Sequence, residues 1–275
     1  MIDPEIQKEL RQKYNPDGSM LRSLQTSLME TLIEFDKVCR EEGVVYWLDA
    51  GTLLGAVRHG GFIPWDDDLD VCVLKKDRKK LKEAMQRGLK LPFRFIDANT
   101  QEYTAKRWAR VVNDDVLVSH ISADPLKPKE KTVKKDNAWI DIMYLVNGRP
   151  FMNRNIDRLF GPCFRRKYKL LQDGRIRHLV AVCLYPFTWL LVQLATLVGK
   201  LFMRKQWIFD YGLGYYSLRV TDETFPLGEI EFEGHMFPAP CRCDEYLTRL
   251  YGDWRKIPNV TITHNVVNVE HKDSK

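Results

Sequence analysis

The chain has 275 residues, 44% of them hydrophobic and 29% charged, which is apolar enough for a real core and excludes disorder as the default. A net charge of +6 suits anionic substrates or a membrane surface, but it is too small to argue for nucleic acid. The six cysteines are scattered, with C-x-C as their closest spacing, so buried or free thiols are expected rather than zinc ligands or disulfides.

The opening stretch "MIDPEIQKELRQKY" is polar, so no signal peptide is expected and a cytoplasmic location is. From Met20, Leu21, Leu24, Leu28, Leu32, Phe35 and Val38 recur at helical spacing, and Gly43 stops the helix. "VVYWLD" (Val44–Asp49) is a predicted strand, Thr52–His59 a short helix that stops at Gly60–Gly61, and Asp68–Leu74 a second strand. A charged surface helix follows, "KKDRKKLKEAMQRG". "DPLKPKEKTVKKDN", rich in Lys and Pro, is expected as an exposed loop before a third strand over Ala138–Val146. Alternating helices and strands predict an α/β or α+β sheet core.

The second half differs. Leu179 to Val198 holds no charged residue and matches a bilayer span in length. Arg165, Arg166, Lys167, Lys169, Arg175 and Arg177 precede it, and Lys200, Arg204 and Lys205 follow. Three readings stay open: a buried helical hairpin split at Pro186, a segment lying in the membrane surface, and a transmembrane helix. Further on, a hairpin around Gly234 and a helix over Asp244–Tyr251 are expected, and the tail after Pro258 is polar and uninformative.

The chemistry concentrates in "GTLLGAVRHGGFIPWDDDLDVCV", Gly51 to Val73. Side chains alternate along a strand, so Asp68 and Asp70 share a face, and Asp66 joins them if the chain is already extended. Asp67 has the other parity and is expected in solvent. Carboxylates side by side repel, and a divalent cation relieves that; magnesium suits an all-carboxylate site. Read alone, the cluster is a solvated acidic turn. Asp141 weighs against that, because a carboxylate inside "WIDIMYLV" is costly to bury unless paired or metal-bound. Gly51 and Thr52 start a helix just after a strand, where backbone amides favour a phosphate. Arg58 is a candidate for holding an anionic group and His59 a weak general base, while Lys106 and Arg110 are candidates for charge on a leaving phosphate.

The run "YWLDAGTLLGAVRHGGFIPWDDDLDVCV" resembles the signature of the LicD family, to which fukutin and fukutin-related protein belong. The resemblance extends to the preceding helix, to "WIDIMYLV", and to "FPLGEIEFEGHMFPAP" followed by "YLTRLYGDW". It implies a nucleotidyltransferase-like mixed sheet core flanked by helices, with a helical, partly membrane-facing second half. Gly51 and Thr52 match the phosphate-side helix, Asp68 and Asp70 the metal-binding D-x-D, Asp66 a further acidic position, and Asp141 the third strand carboxylate. Arg110 matches a basic position more weakly.

The resemblance further implies transfer of a phospho-alcohol, phosphocholine from CDP-choline foremost, to a cell-surface glycan or its lipid-linked precursor, with release of CMP. Ribitol or glycerol phosphate is the alternative cargo, and NMP transfer by a true nucleotidyltransferase or a degenerate membrane-bound adaptor are the rival readings. Asp68, Asp70 and Asp141 are expected to hold magnesium or manganese, and Asp141 or Asp66 to take the acceptor's proton. One domain over 1–275 is expected, with a core over 1–146, a basic and apolar helical insertion over 147–210, and a C-terminal part over 211–258 packing on the core. The expected partners are a CDP-activated donor, a glycan acceptor and a membrane surface, at the inner face of a bacterial cytoplasmic membrane.

Overall fold

The computed structural model describes residues 2–97, 108–124, 127–158, 176–258 and 266–272. Lys106 and the basic residues from Arg165 to Arg175 lie outside that set.

Helix α1 (Pro4–Tyr14) leads into α2 (Met20–Glu41), where the Ser19 side chain accepts from the Arg22 amide at 3.2 Å and caps the first turn. The apolar stripe read from the sequence buries Leu21, Leu24, Leu28, Leu32, Phe35 and Val38. Strand β1 (Tyr46–Leu48) is followed at once by α3 (Ala50–His59), which ends at Gly60. Strand β2 is Asp70–Leu74, so Asp68 lies just before the strand rather than in it. Helix α4 (Arg78–Gly88) and β3 (Phe93–Ile96) come next.

Strands β4 (Ala109–Asp124) and β5 (Lys127–Asn147) form a long antiparallel hairpin. The Lys- and Pro-rich segment expected as a loop is therefore the first half of β5. Its polar residues pair with β4 beyond the core, from Leu117 opposite Asn137 to Asp124 opposite Lys127. Residues 133–136 there are all exposed and show no apolar alternation, which is why the pattern hid the strand. The polar tail likewise supplies an edge strand: β10 (Val266–His271) pairs with β4.

Helical residues 150–158 (α5) and α6 (Ile176–Phe202) precede β6 (Gln206–Phe209) and β7 (Leu218–Val220). Helix α6 runs unbroken through Pro186, so the split hairpin is corrected to one long helix. Proline removes one backbone bond and perturbs the turn before it, but the bonds on either side carry the helix on. The chain closes with the short α7 (Thr221–Thr224), the hairpin β8 (Gly228–Phe232) and β9 (His235–Ala239), and α8 (Cys243–Tyr251).

The described strands form an eight-stranded mixed sheet with β1, β2, β5, β4 and β10 in order, β3 on β4, and β6 then β7 off β5. Only β2 and β5 pair in parallel. One face packs Val71, Val73, Ile140, Ile142 and Tyr144 against the buried side of α2. The other carries Cys72, Leu74, Met143 and Leu145 beside Trp47 and Phe209. The β8–β9 turn locks onto the glycine loop after α3: Glu233 accepts from the Phe62 amide at 3.1 Å and pairs with Arg22 at 2.7 Å.

Candidate active site

Register builds the site. In the parallel pair, Asp70 lies opposite Asp141, and the Asp141 amide donates to the Leu69 carbonyl at 2.9 Å. Directly paired residues share a sheet face. Both carboxylates therefore open into the same cleft, about 470 Å3 in volume, together with Asp66 and Asp68. The start of α3 lines it too, along with Tyr215, Arg219 and Tyr251.

The strand-to-helix turn is sharp. Ala50 takes φ 47°, a left-handed backbone rare for a residue with a Cβ. No side chain caps the first turn of α3, and its Ala50 and Gly51 line the cleft. A Cβ on Gly51 would stand 3.1 Å from the Asp66 carboxylate. Thr52 faces inward instead: its hydroxyl accepts from the Asp70 amide at 2.8 Å and pins the acidic strand to the helix.

The carboxylates strain against each other. Desolvation, then the charges of Asp68 and Asp67, push Asp66 up to about 7, with Arg58 pulling the other way. Desolvation in the cleft, then Asp67 and Asp141, push Asp68 up to about 6, although the residue keeps solvent contact. Asp70 is raised well above its usual range by burial, then by Asp68, Asp141 and Asp49, against the opposing pull of Arg219. Asp67, expected in solvent, is half-buried and borders a second cavity of about 220 Å3 with Asp68, Arg110 and Asp141.

Among the described residues no three such ligands are already gathered into a cage. The donor set nonetheless fits a hard divalent cation: it is oxygen only, mutually repelling, and open to the cleft.

Two arginines carry different duties. The Arg110 Nε donates to Asp141 Oδ1 at 2.7 Å, beside a 2.6 Å bond from Trp108 Nε1 to the same oxygen. Its guanidinium stacks on the Trp139 ring at 4.0 Å. Arg110 thus orients Asp141. Arg58 does not line the cleft: Nη1 donates to the carbonyls of Trp254 at 2.7 Å and Lys256 at 3.4 Å, and Nε to His59 at 2.9 Å. Its charge reaches Asp66 only through space.

Sequence reasoning missed Asp49, Arg219 and Tyr246. Asp49 and Arg219 form an ion pair with side chains 0% and 1% exposed. The Tyr246 hydroxyl donates to Asp49 at 2.6 Å, and the Cys72 thiol at 3.1 Å. Burial alone would raise Asp49, but the Arg219 charge and these hydrogen bonds outweigh it and hold the carboxyl below its usual range. The available signal was a charged residue inside each apolar run, in "YWLD" and "SLRV". Arg219 places a fixed cation beside the acidic wall, over Phe209 at 3.9 Å. Trp108 and Tyr215 open into the cleft, whereas Trp47 is buried against Tyr246 and Tyr216 bonds Asp157.

Residues 43–144 match the family described as LicD/FKTN/FKRP, nucleotidyltransferase domain. The chain is 27% identical over 263 residues to the lipopolysaccharide cholinephosphotransferase LicD of Haemophilus influenzae, covering 86% of this chain and 92% of that protein. It is 30% identical over 123 residues to the human ribitol 5-phosphate transferase FKRP, covering 42% of this chain and 23% of that protein. The acidic strand, the α3 turn and Asp141 all fall within the matched stretch. Residues 43–144 thus match the LicD/FKTN/FKRP nucleotidyltransferase domain, and the chain is a LicD-like transferase.

Proposed function

We propose that this enzyme transfers a phospho-alcohol, phosphocholine foremost, from a CDP-activated donor to a hydroxyl of a cell-surface glycan or its lipid-linked precursor. The observation that carries the reading is the Asp70–Asp141 register, which brings both acids into one cleft with the start of α3. The near full-length similarity to a cholinephosphotransferase favours choline over ribitol or glycerol. So do Trp108, Tyr215 and Tyr251, aromatic faces of the kind that hold a quaternary ammonium.

The first amides of α3 are suited to the donor's phosphates, and Arg219, paired with Asp49 just before that helix, adds positive charge beside them. Asp68, Asp70 and Asp141 would hold magnesium or manganese, which supplies positive charge at the pyrophosphate oxygens. In the transfer, the acceptor oxygen bonds to the distal phosphorus as the bond to the bridging oxygen breaks. CMP leaves with that electron pair, and a cleft carboxylate, Asp141 or Asp66, takes the hydroxyl proton. Arg110 and Trp108 fix Asp141 for either task. The enzyme works at the cytoplasmic face of a bacterial membrane, where a lipid-linked acceptor is presented.

The test is magnesium-dependent CMP release from CDP-choline, CDP-ribitol, CDP-glycerol and CDP-ethanolamine. CDP-choline is expected to be turned over fastest, with Asp68→Asn and Asp70→Asn losing at least about a hundredfold in rate. Pyrophosphate release from an NTP would instead indicate NMP transfer. Near-full activity in either variant would sink the metal assignment.

A further inference from the structure

Helix α6 is apolar on both sides, and among the described residues one side packs against the fold. Thr188, Val192, Ala195 and Gly199 face the fold, with Val192 and Ala195 packed among Val146, Ile156, Ile208 and Tyr211. The spacing of four, three and four is one helical face. Opposite it, Phe187, Leu190, Leu194, Leu197 and Leu201 form a second stripe at helical spacing. Phe187 is 70% exposed, Leu190 61% and Leu194 56%. Trp189 flanks this stripe, and Phe202, 78% exposed, ends it. Soluble proteins rarely leave so continuous an apolar strip in water.

The charges beside it name the occupant. From Cys183 to Phe202 the single ionisable side chain with a full charge is Lys200. At that end of the helix, a cavity of about 280 Å3 is lined by Lys75, Lys76, Lys200, Gln193, Thr196 and Trp207. Lys75 also pairs with Asp210 at 2.8 Å. Arg204 and Lys205 are exposed just beyond. Apolar side chains with lysines at their border suit the acyl and headgroup layers of an anionic bilayer. A second protein copy would give the lysines no such counter-charge.

The helix is also bolted sideways to the sheet. Gly199 packs so close to Asn147 that a Cβ would meet its carbonyl oxygen at 2.0 Å. The Asn147 amide group donates to the carbonyls of Met203 at 3.3 Å and Arg204 at 3.1 Å, which ties the end of α6 to the end of β5. A helix fixed along its length to strands cannot cross the bilayer without dragging sheet backbone into hydrocarbon.

We infer that α6 lies in the plane of an anionic phospholipid bilayer, inserting the Phe187–Leu201 stripe into one leaflet while Lys76 and Lys200 hold phosphate headgroups. This deepens the membrane location given above and does not depend on the reaction. In flotation, the full chain is expected to rise with vesicles of phosphatidylcholine containing a third phosphatidylglycerol. Leu190→Glu with Leu194→Glu weakens partitioning at least about a hundredfold. Lys76→Gln with Lys200→Gln weakens it about twentyfold, and on anionic vesicles only. Brominated lipids are expected to quench Trp189 when the bromine is shallow, and that quenching disappears in Trp189→Phe.

Wild-type protein that stays below the vesicles overturns the inference. So does a dimer that Leu190→Glu with Leu194→Glu splits, or deepest quenching at the bilayer centre. CMP release from soluble CDP-choline should be unchanged in all these variants. A chain that floats but turns over no donor leaves the membrane inference standing and removes the proposed reaction.

Discussion

Arg219→Met tests the electrostatic frame of the cleft. In the wild-type fold the Arg219–Asp49 pair is sealed from water, with Tyr246 and Cys72 donating to the same carboxylate. Removing one partner of a buried pair leaves the other charge uncompensated, at a cost of about 3–5 kcal/mol. The stacked contact on Phe209 at 3.9 Å disappears too and adds to that loss. A cost of about 4 kcal/mol lowers Tm by about 8–16 °C in a protein of this size.

The second variant separates charge from packing. Asp49→Asn removes the orphaned charge, so Arg219→Met with Asp49→Asn should recover much of the lost stability. Urea unfolding of the four proteins gives the coupling energy. Donor affinity should not recover in the double variant, because Arg219 itself faces the cleft. If Arg219→Met costs less than about 1 kcal/mol, or the double variant is no more stable than the single one, the buried-pair reasoning fails.

Asp70→Asn should trade activity for stability. Repulsion from Asp68, Asp141 and Asp49 weighs on Asp70 in the metal-free fold, so the neutral variant should melt at a higher temperature in EDTA at pH 7.5. An unchanged or lower Tm would show that the carboxylates do not repel as described. His59 supplies a pH test. Burial, then the Arg58 charge, push it down from 6.5 to about 3. The unfolded chain therefore binds the extra proton between those values, so stability is full above pH 6.5 and falls below it, by at most about 1.4 kcal/mol per pH unit. His59→Gln should flatten that slope, and an equal slope in both proteins would locate the proton elsewhere.

The acidic strand was legible because its chemistry is local. Asp68, Asp70 and Asp141 each interrupt or border an apolar run, and all three line the cleft although Asp68 lies just ahead of β2, where strand parity does not apply. The duties of the basic residues were not legible. Arg58 stands inside the motif and Arg110 well beyond it in β4, yet the first is held by carbonyls of the C-terminal segment and the second by Asp141. The cation that does line the cleft beside the acids, Arg219, comes from a strand far along the sequence, and β7 pairing on β6 brings it there. Polar strands escaped for a related reason: the outer half of β5 is fixed by its partner β4 and not by any burial pattern of its own. Helix α6 shows the opposite limit, since hydropathy set its length but could not tell which side the protein itself would cover.

The parallel pairing of β2 with β5 has a consequence for the order of events in folding. Asp70 and Asp141 are about seventy residues apart, with α4, β3 and β4 between them, so no fragment emerging early in synthesis holds both acids. Distant pairings of this kind form late, after local helices and hairpins have paid down the chain entropy. A nascent or truncated chain can therefore carry the whole D-x-D segment and still lack the assembled acidic wall. Catalytic competence is in this sense a report on completed topology, and CMP release in a refolding time course should lag behind the recovery of helix signal.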